Sequence, residues 1–163
     1  VVMRRALEVG ANRAAGVVAL PAAARRAGAQ VLRLDAVDLD VSTVADLAGR
    51  EVMWRNDGKQ ITIRWAESFA AHEERQVAVH YAVVEPSSGL YFSQPSDTYP
   101  DMPWYAVTDH ETERARHWLP CIDLPNVRTT LDIRLRAEER FTLLPNAYLV
   151  GEEVHGDGTK HAH

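Results

Sequence analysis

A chain of 163 residues with 46% hydrophobic side chains is large enough for one domain with a sizeable core and does not require two. Acidic residues outnumber basic ones by 23 to 18, the net charge is -5, and Arg and Lys are scattered, which speaks against a nucleic-acid partner. No apolar run nears the ~18–20 residues of a membrane span, and the single Cys121 rules out an internal disulfide, so a reduced, cytoplasmic setting is the default expectation.

The first residues, Val1-Val2-Met3-Arg4-Arg5, lead into no signal-like apolar core, and the missing initiator Met suggests a piece of a longer polypeptide. Ala14 to Ala29 is Ala-rich. Gly16 and Pro21 interrupt a helix there, however, and the run Gly16 to Leu20 suits a strand. Val31 to Val41 alternates apolar and polar residues, with a phase slip near Ala36 that reads as a bend or bulge. Asn56-Asp57-Gly58 lies between Val52-Met53-Trp54 and Ile61-Thr62-Ile63-Arg64-Trp65, and Asp-Gly supplies the positive φ of a tight hairpin.

His72-Glu73-Glu74-Arg75-Gln76 begins like the zinc motif H-E-x-x-H, but Gln76 stands where the second histidine must be. It reads as a solvated turn before a strand in which Val77, Val79, Tyr81 and Val83 share a face. Ser93 to Trp104, with Pro95, Pro100 and Pro103, reads as an ordered loop. Asp109 to Trp118 offers a cap and one or two helical turns, within which His110 and His117 stand near Asp109 and Glu111 as a weak acid-base candidate.

Cys121 sits among apolar neighbours and reads as a buried, inert thiol. Leu131, Ile133 and Leu135 form one face of a further strand. Gly156-Asp157-Gly158 makes a second hairpin turn between Tyr148-Leu149-Val150 and Lys160-His161-Ala162-His163. Two imidazoles on one strand face, His161 and His163, could bind a metal incidentally, but they lack a third ligand and read as a chain end. No nucleophile-elbow, P-loop or dinucleotide fingerprint occurs. The periodicity of two therefore predicts an all-β fold of sheets with one face buried and at most a short helical turn, and the motifs do not support catalysis by this chain alone.

Thr108-Asp109-His110-Glu111-Thr112-Glu113-Arg114-Ala115-Arg116, continuing through Pro120-Cys121-Ile122-Asp123-Leu124-Pro125, resembles the T-Q-x-E-x-x-x-A-R-x-x-x-P-C-x-D-x-P stretch of the aminopeptidase N family. Gly89-Leu90-Tyr91-Phe92 is similar to that family's G-[FL]-Y element, Leu34 to Val41 to its early strand, and Asn146 with Tyr148 to Val150 to a later one. The resemblance covers roughly Ala6 to His163.

It implies a saddle-like, mostly antiparallel β-sandwich of two or more sheets that precedes a zinc-bearing catalytic domain of the same parent chain. This chain would itself bind no cofactor and hold no metal ligands, with zinc and H-E-x-x-H lying in the absent part. In the family, the Gln and Glu of the turn help hold the α-amine of a peptide substrate. Glu111 matches that Glu and is the expected anchor, against the alternative of a plain surface charge. Asp109 replaces the Gln, and two readings stand for it: a second anchor, or a cap of the turn.

Gly89, Tyr91, Arg116, Pro120, Cys121, Asp123 and Pro125 are expected to be structural, with Arg116 bridging to Asp123 or Asp109 and Trp118 covering the core. Leu124 and His110 depart from the family pattern, as happens in relatives that keep the architecture and lose activity. The alternative function is thus a protein-interaction module from an inactive aminopeptidase-like scaffold. The family's last hairpin strand is expected to continue past His163, and an unpaired edge there would favour a homodimer.

Overall fold

The computed structural model describes residues 2–10 and 12–163, with side chains from residue 12 onward. Val1 of the signal-peptide reading therefore lies outside the described residues. Val2–Gly10 form strand β1, and the chain continues through β2 (Arg13–Ala23), β3 (Val31–Asp35), β4 (Asp40–Asp46), β5 (Val52–Asn56), β6 (Gln60–Trp65) and β7 (Glu74–Val84). After these come β8 (Leu90–Ser93), β9 (Tyr105–Thr108), one 3-10 turn (Ala115–His117), β10 (Thr130–Glu138), β11 (Glu152–Val154) and β12 (Thr159–Ala162). The fold is all-β, as the periodicity predicts.

A seven-stranded sheet runs in the order β11-β12-β10-β1-β2-β7-β4, beside a three-stranded sheet β3-β6-β5 and a two-stranded ribbon β8-β9. Its pairings are antiparallel except β1 with β10, which run parallel. Strand β2 pairs with β7 from Arg13 to Ala23. Pro21, which cannot donate to a ladder, falls beyond Ala19, the last β2 residue paired with β1.

The phase slip near Ala36 is larger than a bulge. Asp38 takes φ 55, and the chain leaves the three-stranded sheet after Asp35 to enter the seven-stranded one at Asp40. Ala36 and Leu39 are buried at that crossing. The Asn56-Asp57-Gly58 hairpin forms as expected: Gly58 has φ 84, and Asp57 Oδ1 accepts from the amides of Lys59 and Gln60 at 3.0 and 2.8 Å. The second hairpin is displaced. Its first strand is Glu152–Val154, whereas Tyr148 to Val150 lie exposed outside any strand. The acidic run can solvate its side chains at a sheet edge, which explains why it takes the edge position.

The core lies between the inner face of the large sheet and the three-stranded sheet. Val18, Leu20, Val77, Val79 and Val83 face Leu34, Ile61, Ile63 and Trp65, with Trp118, Leu119 and Cys121 closing one end. The other end is closed by a charged clamp. Arg75 is 3% exposed and lies on the core phase of β7 with Val77 and Val79, its guanidinium carbon 4.0 Å from the Phe69 ring centroid.

Arg75 donates from Nη1 to the carbonyl of Glu67 at 2.9 Å, from Nη2 to that of Ser68 at 2.9 Å, and from Nε to Glu73 Oε1 at 2.8 Å. Beside it, Trp65 Nε1 donates to the buried carboxylate of Asp46 at 2.8 Å. Burial alone would raise the Asp46 pKa. The Trp65 hydrogen bond, the Ala48 and Arg50 amides and the charge of Arg50 together hold it below its ordinary value.

Glu73 is pulled from 4.5 to about 2, chiefly by the Arg75 hydrogen bond and also by the amide of Ala70. A carboxylate whose folded pKa is depressed stabilises the fold fully above its unfolded value and loses that contribution as pH falls through the folded one. Acid titration should therefore show a loss of stability between about pH 4.5 and about pH 2. In Glu73→Gln, monitored by tryptophan fluorescence, the stability lost over that interval should be smaller; an unchanged acid profile would contradict this.

Candidate functional site

The ribbon β8-β9 delivers the chain to the turn that carries Asp109 and Glu111. Its last link is Asp109 N–H, which donates to Gly89 C=O at 3.1 Å. Asp109 Oδ1 then accepts from the amide of Glu111 at 3.1 Å, and Oδ2 pairs with Arg114 Nη1 at 3.0 Å. Both carboxylate oxygens are thus engaged inside the turn, an arrangement typical of Asx caps. Arg114 Nη1 also reaches Tyr91 Oη at 3.4 Å, and the Arg114 amide donates to His110 C=O at 3.2 Å.

Hydrogen bonds from Ser88 and the Gly89 amide, ahead of the nearby Arg114, hold the Tyr91 hydroxyl below its usual pKa. Gly89 itself has φ +77, and a Cβ placed on it would stand 2.1 Å from the Arg114 carbonyl oxygen. Only glycine lets the ribbon and the turn approach this closely.

The far side of the turn is fastened to the core. Arg116 donates from Nε to Asp123 Oδ2 at 3.1 Å and from Nη2 to Asp123 C=O at 2.9 Å, and it pairs with Glu113 at 3.2 Å. Burial opposes the Arg116 charge, but the Asp123 hydrogen bond and the fields of Asp35, Asp123 and Glu113 prevail and raise its pKa. The Arg116 bridge runs to Asp123, while Asp109 is taken by Arg114.

Asp35 exchanges backbone hydrogen bonds with Cys121 at 2.7 and 3.1 Å, and its carboxylate accepts from the Asp123 amide at 3.0 Å. Trp118, Leu119, Pro120 and Cys121 are all buried. Pro125 begins a further turn in which the Val127 amide donates to Leu124 C=O at 3.0 Å. The expected helical turns reduce to the 3-10 turn Ala115–His117, because residues before it are held by Asp109 and Gly89 in a non-helical path.

Between these two fastenings the tip is exposed. The Glu111 carboxylate has no hydrogen-bond or ion-pair partner among the described residues and faces solvent. His110 Nε2 accepts from Trp118 Nε1 at 2.9 Å, with the two rings stacked 5.6 Å apart. The remaining sequence candidates are dispersed. His161 Nδ1 lies 2.6 Å from His155 Nε2, His163 pairs with Asp132 at 2.8 Å, and His72 is exposed with φ 62. Among the described residues no three His, Cys, Asp or Glu side chains converge as metal ligands would.

Two features of the site were not read from the sequence. Tyr105–Thr108, only four residues long, carries a weak alternation of Tyr105 and Val107 that could have signalled β9. The close approach of Gly89 to Arg114 has no local signal at all.

The family model described as the peptidase M1 N-terminal domain matches residues 9–163. The puromycin-sensitive aminopeptidase of Caenorhabditis elegans is 34% identical over 74 residues, which is 45% of this chain and 8% of that protein. A solved two-domain M1 zinc metallopeptidase bound to L-tryptophan matches with a TM-score of 0.81 at 17% identity, covering 99% of this chain and 37% of that one. The M1 zinc metallopeptidase from Deinococcus radiodurans gives a TM-score of 0.78 at 19% identity with the same coverage. At such identities the solved structures show the fold, and this chain spans little more than a third of their length. The chain belongs to the peptidase M1 N-terminal domain family, the β-rich domain that stands with a catalytic domain in M1 zinc aminopeptidases.

Proposed function

We propose that this domain serves a zinc aminopeptidase by presenting Glu111 to the free α-amine of a peptide substrate, while the catalytic domain of the same parent chain cleaves the adjacent bond. The observation that carries this reading is the contrast within the turn. Asp109, Arg114 and Arg116 are committed to holding it, and the Glu111 carboxylate at its tip is left without a partner among the described residues. A carboxylate held in this way accepts charge-assisted hydrogen bonds from an ammonium and fixes which peptide bond lies in the reactive position. That register makes the product a single terminal residue.

Asp109 acts as the cap that shapes the turn and not as a second anchor, since both of its oxygens are occupied. Zinc, resident in the family's catalytic domain, supplies activation of the attacking water there. Self-association through the far edge of the large sheet contributes little, because β12 lies between β10 and β11 and the edge strand β11 is three residues bearing Glu152 and Glu153.

In the parent enzyme, Glu111→Gln should raise KM for free-amine substrates and lower kcat/KM by roughly 2–4 kcal/mol, or roughly 30- to 1000-fold. Steady-state kinetics on aminoacyl and peptide substrates reads this directly. Kinetics equal to the unsubstituted enzyme would remove Glu111 from the site.

A further inference from the structure

His110 stands one residue before Glu111, and its exposed ring is tied to the core. Indole is a donor only, so the 2.9 Å contact of Trp118 Nε1 with His110 Nε2 requires a lone pair on Nε2, and the imidazole is neutral with its proton on Nδ1. The two rings stack, their planes 25° apart. Trp118 is 6% exposed and belongs to the core cluster, and its amide is fixed to Ala115 C=O at 3.1 Å. A buried indole N–H needs an acceptor, and here a side chain from the exposed tip supplies one.

Within the turn, Asp109 Oδ1 holds the Glu111 amide and the His110 carbonyl takes the Arg114 amide, both local contacts. The His110–Trp118 bond instead joins the tip to the core, through a side chain type that changes charge between about pH 5 and 8. The charged groups around His110 are Asp109, Glu111, Glu113 and Arg114 of its own turn, His117 of the 3-10 turn, and Glu138 and Arg140 on the groove it shares with the end of β10. Asp109 is paired with Arg114 at 3.0 Å, Glu113 with Arg116 at 3.2 Å and Glu138 with Arg140 at 2.7 Å. Of these carboxylates, Glu111 is left without a partner among the described residues.

We propose that His110 is a positioning residue for the Glu111 anchor and makes that anchor sensitive to pH. With His110 neutral, the bond from Trp118 pins the tip and sets the Glu111 carboxylate where a substrate α-amine meets it. A proton taken from solvent onto Nε2 turns the acceptor into a donor facing the indole N–H, so the bond is lost and the tip is released. The same proton places a cation one residue from Glu111, where it repels an incoming ammonium. Both effects weaken binding of the free amine as pH falls. The inference rests on the reading that Glu111 binds the substrate α-amine.

Steady-state kinetics of the parent enzyme between about pH 8 and about pH 5.5 tests it. His110→Ala should raise KM for an aminoacyl substrate by about 5- to 10-fold at the upper pH, with kcat changed much less. His110→Gln, which keeps an acceptor and does not titrate, should restore most of that loss and flatten the rise of KM toward acid. An unaltered KM in His110→Ala, or a KM profile in His110→Gln identical with that of the unsubstituted enzyme, would overturn the proposal. A second readout does not depend on Glu111: in enzyme carrying fluorotryptophan, the fluorine resonance of Trp118, assigned by its loss in Trp118→Phe, should move with pH in a step that His110→Gln abolishes. That step together with unaltered Glu111→Gln kinetics would remove the anchor and overturn the positioning role with it. No step, with Glu111→Gln kinetics altered, would overturn the positioning role alone.

Discussion

Replacing Arg75 by alanine is expected to cost roughly 2–4 kcal/mol, since it removes a buried, hydrogen-bonded cation whose partner carboxylate is itself partly exposed. The side chain is 3% exposed, and its three nitrogens reach two loop carbonyls and the Glu73 carboxylate. Truncation leaves the carbonyls of Glu67 and Ser68 without that donor and removes the cation from the Phe69 face. In thermal unfolding the midpoint should fall by roughly 4–16 °C for a domain of this size.

Arg75→Lys should recover only part of the loss. A lysine ammonium cannot reproduce the fork that spans two carbonyls and a carboxylate. Combining Arg75→Ala with Glu73→Gln should be less than additive, because the two side chains share one hydrogen-bonded pair. A loss below about 1 kcal/mol for Arg75→Ala would show that the clamp contributes no more than an exposed ion pair.

Gly89→Ala is expected to be just as damaging, at about 4 kcal/mol, although it adds a single methyl group. A left-handed backbone at a non-glycine residue costs about 1–3 kcal/mol, and forcing an atom into a filled space typically adds about 1–3 more. At Gly89 both apply, since φ is +77 and the added Cβ would stand 2.1 Å from the Arg114 carbonyl oxygen. Gly58 provides the control. Its φ is +84, but a Cβ there would meet nothing within 4 Å, so Gly58→Ala should cost only about 1–2 kcal/mol. Equal losses at the two positions, measured by denaturant unfolding, would refute the close-approach argument. Because the Arg114 oxygen belongs to the turn bearing Glu111, Gly89→Ala should also lower the activity of the parent enzyme in whatever fraction remains folded.

These residues also mark how far the sequence could be read. The strands at Ile61 to Trp65, Val77 to Val83 and Leu131 to Leu135 were legible because alternate side chains of a strand share a face, although only the first buries a single face: β7 buries residues of both, and Leu131, Ile133 and Leu135 are exposed or half-buried. The same periodicity placed Arg75 on the core face. The stretch His72 to Gln76 reads as a solvated turn because it is polar throughout, whereas Arg75 is buried in phase with Val77 and Val79. The break at Ala36 was visible as a slip. That the chain changes sheets there depends on pairings with β6 and β7, which are distant in sequence.

The candidate site divides in a similar way. Glu111 and Asp109 could be named from the likeness of their segment to a family motif. The different roles proposed for them rest on contacts the motif does not show, those of Asp109 with Arg114 and of the turn with Tyr91 and Gly89. Tyr148 to Val150 show the opposite case: a stretch apolar enough to suggest a strand lies exposed, while the acidic Glu152–Val154 takes the edge.

The most direct measurement is the structure of the parent enzyme with an amino acid or short peptide bound. The account predicts a Glu111 carboxylate oxygen at about 2.7–2.9 Å from the α-amine nitrogen, the length of a charge-assisted hydrogen bond. An α-amine held wholly by carboxylates of the catalytic domain, with Glu111 more than about 5 Å away and beyond hydrogen-bond reach, would contradict it.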